Sequence, residues 1–179
     1  MPLQFQLSED SQQLDQYYQL RERCFREELG LDQFDGSEEE GDLTSQVFLA
    51  IEDGQCRGGV RISPHATLQS QMDALKIDGE SCCMWERFAI DPAARTVDFF
   101  LQFCGHLVDA TRDCGFAHAM VLSSLRNARF YRRCHSALGV DFHIHRQVPH
   151  CAQGSFAGLE HYLSVAYLQP VAQPLRLAV

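Results

Sequence analysis

Four groups of residues in this sequence have types and spacings suited to chemistry. Arg21 and Phe25 lie four apart, so a helix puts them on one face. They can line a pocket there, or Phe25 can be core beside a solvated Arg21. Asp32 and Asp35 flank Phe34 in D-Q-F-D. Two carboxylates near an amine hold its ammonium form until a proton must leave. The other reading is an ordinary acidic loop, since Glu38, Glu39, Glu40 and Asp42 follow. Arg61 ends the run Gly58-Gly59-Val60-Arg61, where its guanidinium can pair with those acids and the glycines admit a second backbone. Glu86 and Arg87 are adjacent in WERFAID. On a regular strand they face opposite sides unless a bulge re-aims one of them.

Two further clusters concern partners and metals. Arg126, Arg129, Arg132 and Arg133, with Arg146 nearby, form the one basic cluster of an acidic chain. They can steer an acidic partner or be a solvated helix face. His143, His145, His150 and Cys151 are close in sequence, as zinc ligands can be. No Cys-x-x-Cys or His-Glu-x-x-His frame accompanies them, and no metal site is assigned.

The elements that must position these groups follow from pattern. Leu3, Phe5 and Leu7 alternate as a short strand. Ser8 then caps a helix whose apolar face runs from Leu14 to Leu29 and which Gly30 ends. Residues 31–45 read as a long, mobile acidic loop. QVFLAIED and QCRGGVRIS form a hairpin through Asp53-Gly54. A short helical segment is expected over 67–75, and CCMWERFAID is the next strand. Thr96 through Asp113 has helical spacing, AHAMVLSS is a buried strand, and Ala128 through Leu138 is an Arg-rich helix closed by Gly139. VDFHIHRQV and LEHYLSVAYL are the last strands, and 169–179 is a tail. This order predicts an α/β (α+β) fold with a mixed, mostly antiparallel sheet flanked by helices.

The chain has 179 residues, 45% hydrophobic and 22% charged, which suits one domain over 1–179. Net charge is -9, so a general affinity for nucleic acid is excluded. The charge is uneven: residues 1–90 carry 7 basic and 18 acidic side chains, residues 91–179 carry 8 and 6. No apolar stretch approaches the roughly 20 residues of a membrane span, and no signal peptide is visible. The expected location is the cytoplasm, with all eight cysteines reduced.

The element order resembles the general N-acetyltransferase (GNAT) fold, with splayed central strands. Four pieces, LRERCFREELG, LDQFD, GGVRISP and WERFAIDPAAR, narrow the resemblance. They are similar to the acyl-homoserine-lactone (autoinducer) synthases and related acyl-carrier-protein-dependent N-acyltransferases, over residues 17–140 or so. The resemblance implies transfer of an acyl group from a thioester on acyl carrier protein or CoA to a small amine, S-adenosylmethionine in the synthases. Autoinducer synthesis and quorum sensing would follow. No permanently bound cofactor is implied.

The resemblance also distributes roles. Arg21, Phe25, Asp32, Asp35 and Arg61 would bind the amine. The backbone near Phe88 would hold the thioester arm and its oxyanion. Glu86 and Arg87 would be catalytic, and Tyr131 in N-A-R-F-Y would protonate the leaving thiolate. The family shows Glu-x-x-Arg-Phe here, and this chain has Met84 at the Glu position. The family's N-terminal-loop Trp is missing, with Leu31 nearest. The stretch Asp91 to Thr96 has no glycine for a CoA pyrophosphate loop. Arg95 would meet a phosphate, and Arg126, Arg129, Arg132 and Arg133 would meet an acidic carrier protein.

Overall fold

A computed structural model describes residues 2–64, 68–148 and 154–168. Among these residues seven strands form one sheet: β1 (Gln4–Leu7), β2 (Gln46–Glu52), β3 (Gln55–Ser63), β4 (Cys82–Ile90), β5 (His118–Ser123), β6 (Asp141–His145) and β7 (Tyr162–Tyr167). Their order is β1-β2-β3-β4-β5-β7-β6. Only β4 and β5 pair in parallel; the other neighbours are antiparallel. The helices are α1 (Ser11–Leu29), α2 (Glu40–Leu43), α3 (Gln69–Leu75), α4 (Val97–Asp113) and α5 (Leu125–Ala137).

Local chemistry explains the boundaries. Asp10, not Ser8, caps α1 by accepting from the Gln13 N–H, because Ser8 still belongs to the exit from β1. Gly30 closes α1 at φ 66°, which favours glycine. Asp53 and Gly54 both take positive φ, the requirement of a two-residue hairpin turn of the primed kind. The segment expected as a long loop is instead tied down: it holds α2, buries Phe34, and Arg26 donates to the Phe34 carbonyl at 2.8 Å. The last two strands are shorter than their sequence patterns. The expected tail at 169–179, and His150 and Cys151, lie outside the described residues. The seven cysteines that are described are free thiols.

Helices α4 and α5 cover one face of the sheet through Phe48, Val60, Trp85, Phe103, Leu107 and Phe142. Helix α1 covers the other face through Tyr17, Phe25, Leu49 and Ala89, and α3 extends that cover over Met84, Met120 and Leu163. No helix among the described residues is long and apolar enough to cross a membrane.

The central strand is irregular. β4 pairs with β5 only from Cys82↔His118 to Trp85↔Val121, and beyond that the two strands separate. In the same stretch the register with β3 slips, from Arg61↔Glu86 to Gly59↔Ala89. Val60 therefore faces two residues, Arg87 and Phe88, which is a bulge, and Arg87 sits at φ 56°. The strand's alternation changes there. Met84 and Glu86 point to the α1 and α3 side, and Arg87 joins them. Trp85, Phe88 and Ile90 point to the α4 side.

Candidate active site

Where β4 and β5 part, a cleft of about 960 Å³ opens. Its walls include Glu86, Arg87 and Phe88 of β4, Leu122 and Ser123 of β5, and Asn127, Phe130 and Tyr131 of α5. Phe25 and Glu28 of α1 and Phe156 from the β6–β7 connection complete it.

The α1 wall is a chain of alternating charges. Arg21 is fully buried and makes a two-pronged pair with Asp42, at 3.1 and 2.8 Å. It also donates to the carbonyls of Gly36 and Ser37, which fixes the acidic segment against α1. Arg61 donates to Asp42 Oδ1, an oxygen it shares with Arg21, at 3.1 Å, to Glu39 at 2.9 Å, and to Glu86 at 3.0 and 3.1 Å. Arg87 closes the chain on Glu39 at 2.8 and 3.1 Å, and its guanidinium lies 4.7 Å from the Phe156 ring centroid. Three arginines meet three carboxylates, so a mostly buried set of six charges is balanced and densely bonded, as burial demands. Gly41 makes room for it: a Cβ there would lie 2.7 Å from the Arg61 Nη1.

Burial alone would raise the pKa of Asp42. The Arg21 hydrogen bonds, the Glu39 N–H and the charges of Arg21 and Arg61 outweigh it and hold the carboxyl below the usual range. Glu86 bonds Arg61 through one oxygen only, Oε2, which leaves Oε1 toward other partners.

The opposite wall is aromatic. Phe88 packs against Phe103 and Tyr131, each 5.2 Å between centroids, and Phe100 meets Phe130 edge-on at 4.7 Å. Burial raises the pKa of the Tyr131 phenol, so it stays protonated at neutral pH. Among the described residues nothing hydrogen-bonds that hydroxyl. Behind this wall His135 is stacked between Trp85 and Phe142, at 5.4 and 4.9 Å, and its Nδ1 meets the Tyr131 carbonyl at 2.8 Å.

The sequence-expected residues separate into three groups. Glu86, Arg87, Phe88, Phe25, Arg95 and Tyr131 line the cleft. Arg21 and Arg61 stand behind it and hold its α1 wall. Asp32 and Asp35 are exposed and line no part of it; Asp35 instead closes a turn onto the Ser37 N–H. Here the expectation is corrected. The acids that meet the arginines are Glu39 and Asp42, members of the run read as an ordinary acidic loop. A signal for them existed: Glu39 and Asp42 have capping-box spacing, and the Glu39 N–H does donate to the Asp42 carboxylate at 2.8 Å.

Arg95 is also engaged differently from its expected role. It pairs with Glu28 and donates to the Ile90 carbonyl at 2.8 Å. Next to it the Asp91 carboxylate accepts from the Ala93 N–H at 3.2 Å, and the Thr96 hydroxyl accepts from the Phe99 N–H at 3.1 Å. The turn into α4 thus bonds several of its own N–H groups. Arg126, Arg129, Arg132 and Arg133 are exposed along α5, outside the cleft lining, and none has a salt-bridge partner among the described residues. The described residues contain no cluster of His, Cys, Asp and Glu suited to a metal.

Parallel central strands that part over a bulge, with helices on both faces, define a GNAT fold, and solved structures agree. The acyl-homoserine lactone synthase LasI superposes with a TM-score of 0.68 at 17% identity, over 94% of this chain and 91% of that one. The CoA-dependent acyl-homoserine lactone synthase BjaI, with SAM and isopentyl-CoA, gives 0.65 at 18% identity, over 88% and 77%. A GNAT-family acetyltransferase from Staphylococcus aureus Mu50 gives 0.63 at 12% identity, over 94% and 100%. At these identities the likeness establishes the fold. No protein-family model matches the sequence, and no curated protein does either.

Proposed function

We propose that this protein is an N-acyltransferase that moves an acyl group from a thioester to a small amine. One observation carries the reading: β4 and β5 part over a bulge that brings Glu86 and Arg87 to the same wall of the cleft. The pantetheine arm lies in the gap against the strand edges that have lost their partners. The amine enters on the α1 side, near Phe25 and Arg87. Glu86 takes its proton through Oε1, directly or through a water. The nitrogen lone pair attacks the thioester carbonyl, forming the C–N bond, and the oxyanion is met by the backbone N–H near Phe88. The C–S bond then breaks, and the Tyr131 hydroxyl protonates the leaving thiolate. Glu86 stands in for the carboxylate absent at Met84, since Met84 and Glu86 share a strand face and the bulge brings Arg87 to that face.

The donor is best read as an acyl carrier protein. Its phosphopantetheine carries a single phosphate, whereas CoA adds a diphosphate that the self-bonded Asp91–Thr96 turn and the Glu28-paired Arg95 are poorly placed to receive. The exposed arginines of α5 suit an acidic carrier. S-adenosylmethionine is the first amine to test, which would make the product an acyl-homoserine lactone and the role autoinducer synthesis in the cytoplasm.

The test is to incubate the protein with carrier-protein and CoA thioesters, with S-adenosylmethionine and with an amino-acid panel, following thiol release and product mass. Amine-dependent thiol release with an N-acyl product is expected, faster from the carrier protein. Donor binding with no product on any amine would contradict the assignment.

A further inference from the structure

Arg87 is one of three described residues other than glycine with positive φ, and it is the one in the middle of a strand. A β-region alternative is open to it, so something must hold the bulge in place. The structure supplies one hydrogen bond for this. The Tyr17 hydroxyl donates to the Arg87 carbonyl oxygen at 2.7 Å, across 70 residues of sequence. Tyr17 is fully buried, and burial raises its pKa, so the phenol is a permanent donor. Its ring has a fixed seat: a Cβ on Gly59 would lie 2.5 Å from the Tyr17 Cδ2. Gly59 is in β3 beside the register slip, so the glycine that admits the ring and the bulge that the ring holds are neighbours.

The consequence reaches the reacting atoms. A peptide unit is planar and trans, so its C=O and N–H point in opposite directions. Fixing the Arg87 carbonyl on Tyr17 therefore fixes the direction of the Phe88 N–H. It also fixes which wall the Arg87 side chain joins.

We propose that Tyr17 is a positioning residue of the active site: its hydroxyl holds the β4 bulge and so aims the Phe88 N–H and the Arg87 guanidinium. This rests on the acyltransferase reading above, and it adds a residue that touches neither substrate. Tyr17→Phe removes the hydroxyl and keeps the ring. It should lower kcat roughly 100-fold, the scale of losing one oxyanion donor, while KM for the donor thioester changes less than about threefold. Gly59→Ala should act in the same direction by displacing the ring. Tyr17→Phe with Gly59→Ala should be little worse than the stronger single variant, because both act through one contact.

A second readout does not depend on turnover. In the amide NMR spectrum Tyr17→Phe should shift Arg87 and Phe88 strongly and leave Cys82 to Trp85 nearly unmoved. If Tyr17→Phe does not fold, the same shifts in Gly59→Ala decide. Unmoved Phe88 and Arg87 amides, or transfer at the parent rate in a folded Tyr17→Phe, would overturn the proposal. A parent with no acyl transfer but with the expected amide shifts would remove the acyltransferase reading and leave the positioning contact standing.

Discussion

The two faces of β4 are of opposite character. Toward α1 it presents Glu86 and Arg87, tied into a chain with Arg21, Glu39, Asp42 and Arg61. Toward α4 it presents Trp85 and Phe88, packed on Phe103, Tyr131 and His135. One strand thus separates a charged wall from an aromatic one, and the proposed reading gives proton transfer to the first and the apolar arm to the second. A regular strand would have sent Arg87 to the aromatic side. The bulge is what concentrates the charge on one face, and the neutral sum of that charge lets it be buried.

Breaking the charged wall should have the largest effect. Arg87→Ala leaves Glu39 paired with Arg61, so the fold should survive, with a stability loss of no more than about 2 kcal/mol. Acyl transfer should fall by about 10³-fold through lost positioning and charge. Steady-state kinetics beside a thermal melt would separate the two effects.

Asp42→Asn sharpens the same wall through stability. Asp42 touches two buried arginines, so the variant should lose about 3 to 5 kcal/mol. The sign with pH follows from its depressed pKa. The stabilisation is present above the unfolded value near pH ~4 and disappears as pH falls through the lower folded value. Urea midpoints at neutral and strongly acid pH should therefore converge between parent and variant as the acid limit is approached.

The aromatic wall predicts a smaller loss. Tyr131→Phe keeps the contact with Phe88 and removes only the proton donor, so kcat should drop about 10²-fold with the melting temperature unchanged. A thioester with a low-pKa leaving thiol should recover most of that loss. Smallest is the effect outside both walls. Arg129→Glu with Arg132→Glu should slow transfer from a carrier protein about tenfold at low salt, and much less from a small pantetheine thioester.

Much of this architecture was legible in the residues. The strand and helix order follows from periodicity, from Asp53-Gly54 and from Gly30 and Gly139. The bulge was not, because nothing local in WERFAI announces a register slip; it arises from pairing with Gly59 and Val60 and from a tyrosine 70 residues upstream. Asp32 and Asp35 drew attention by flanking an aromatic, yet exposure makes them bystanders to the cleft. Asp42 reads in the sequence as one member of an acidic run because burial is a tertiary property, created when Arg21 and Arg61 close on it from two elements. Arg95 kept its place beside the cleft and acquired Glu28, a partner from α1 that spacing could not name.

The central claim is that Glu86, on the face that the bulge also gives to Arg87, is the base. Its most direct test is the transfer rate of Glu86→Gln beside donor binding read from Trp85, the only tryptophan of the chain and a residue of the cleft wall. A non-hydrolysable thioether donor should quench parent and variant at the same concentration, while the variant transfers about 10² to 10³-fold more slowly. Transfer at the parent rate by a variant that binds the donor normally would contradict the account.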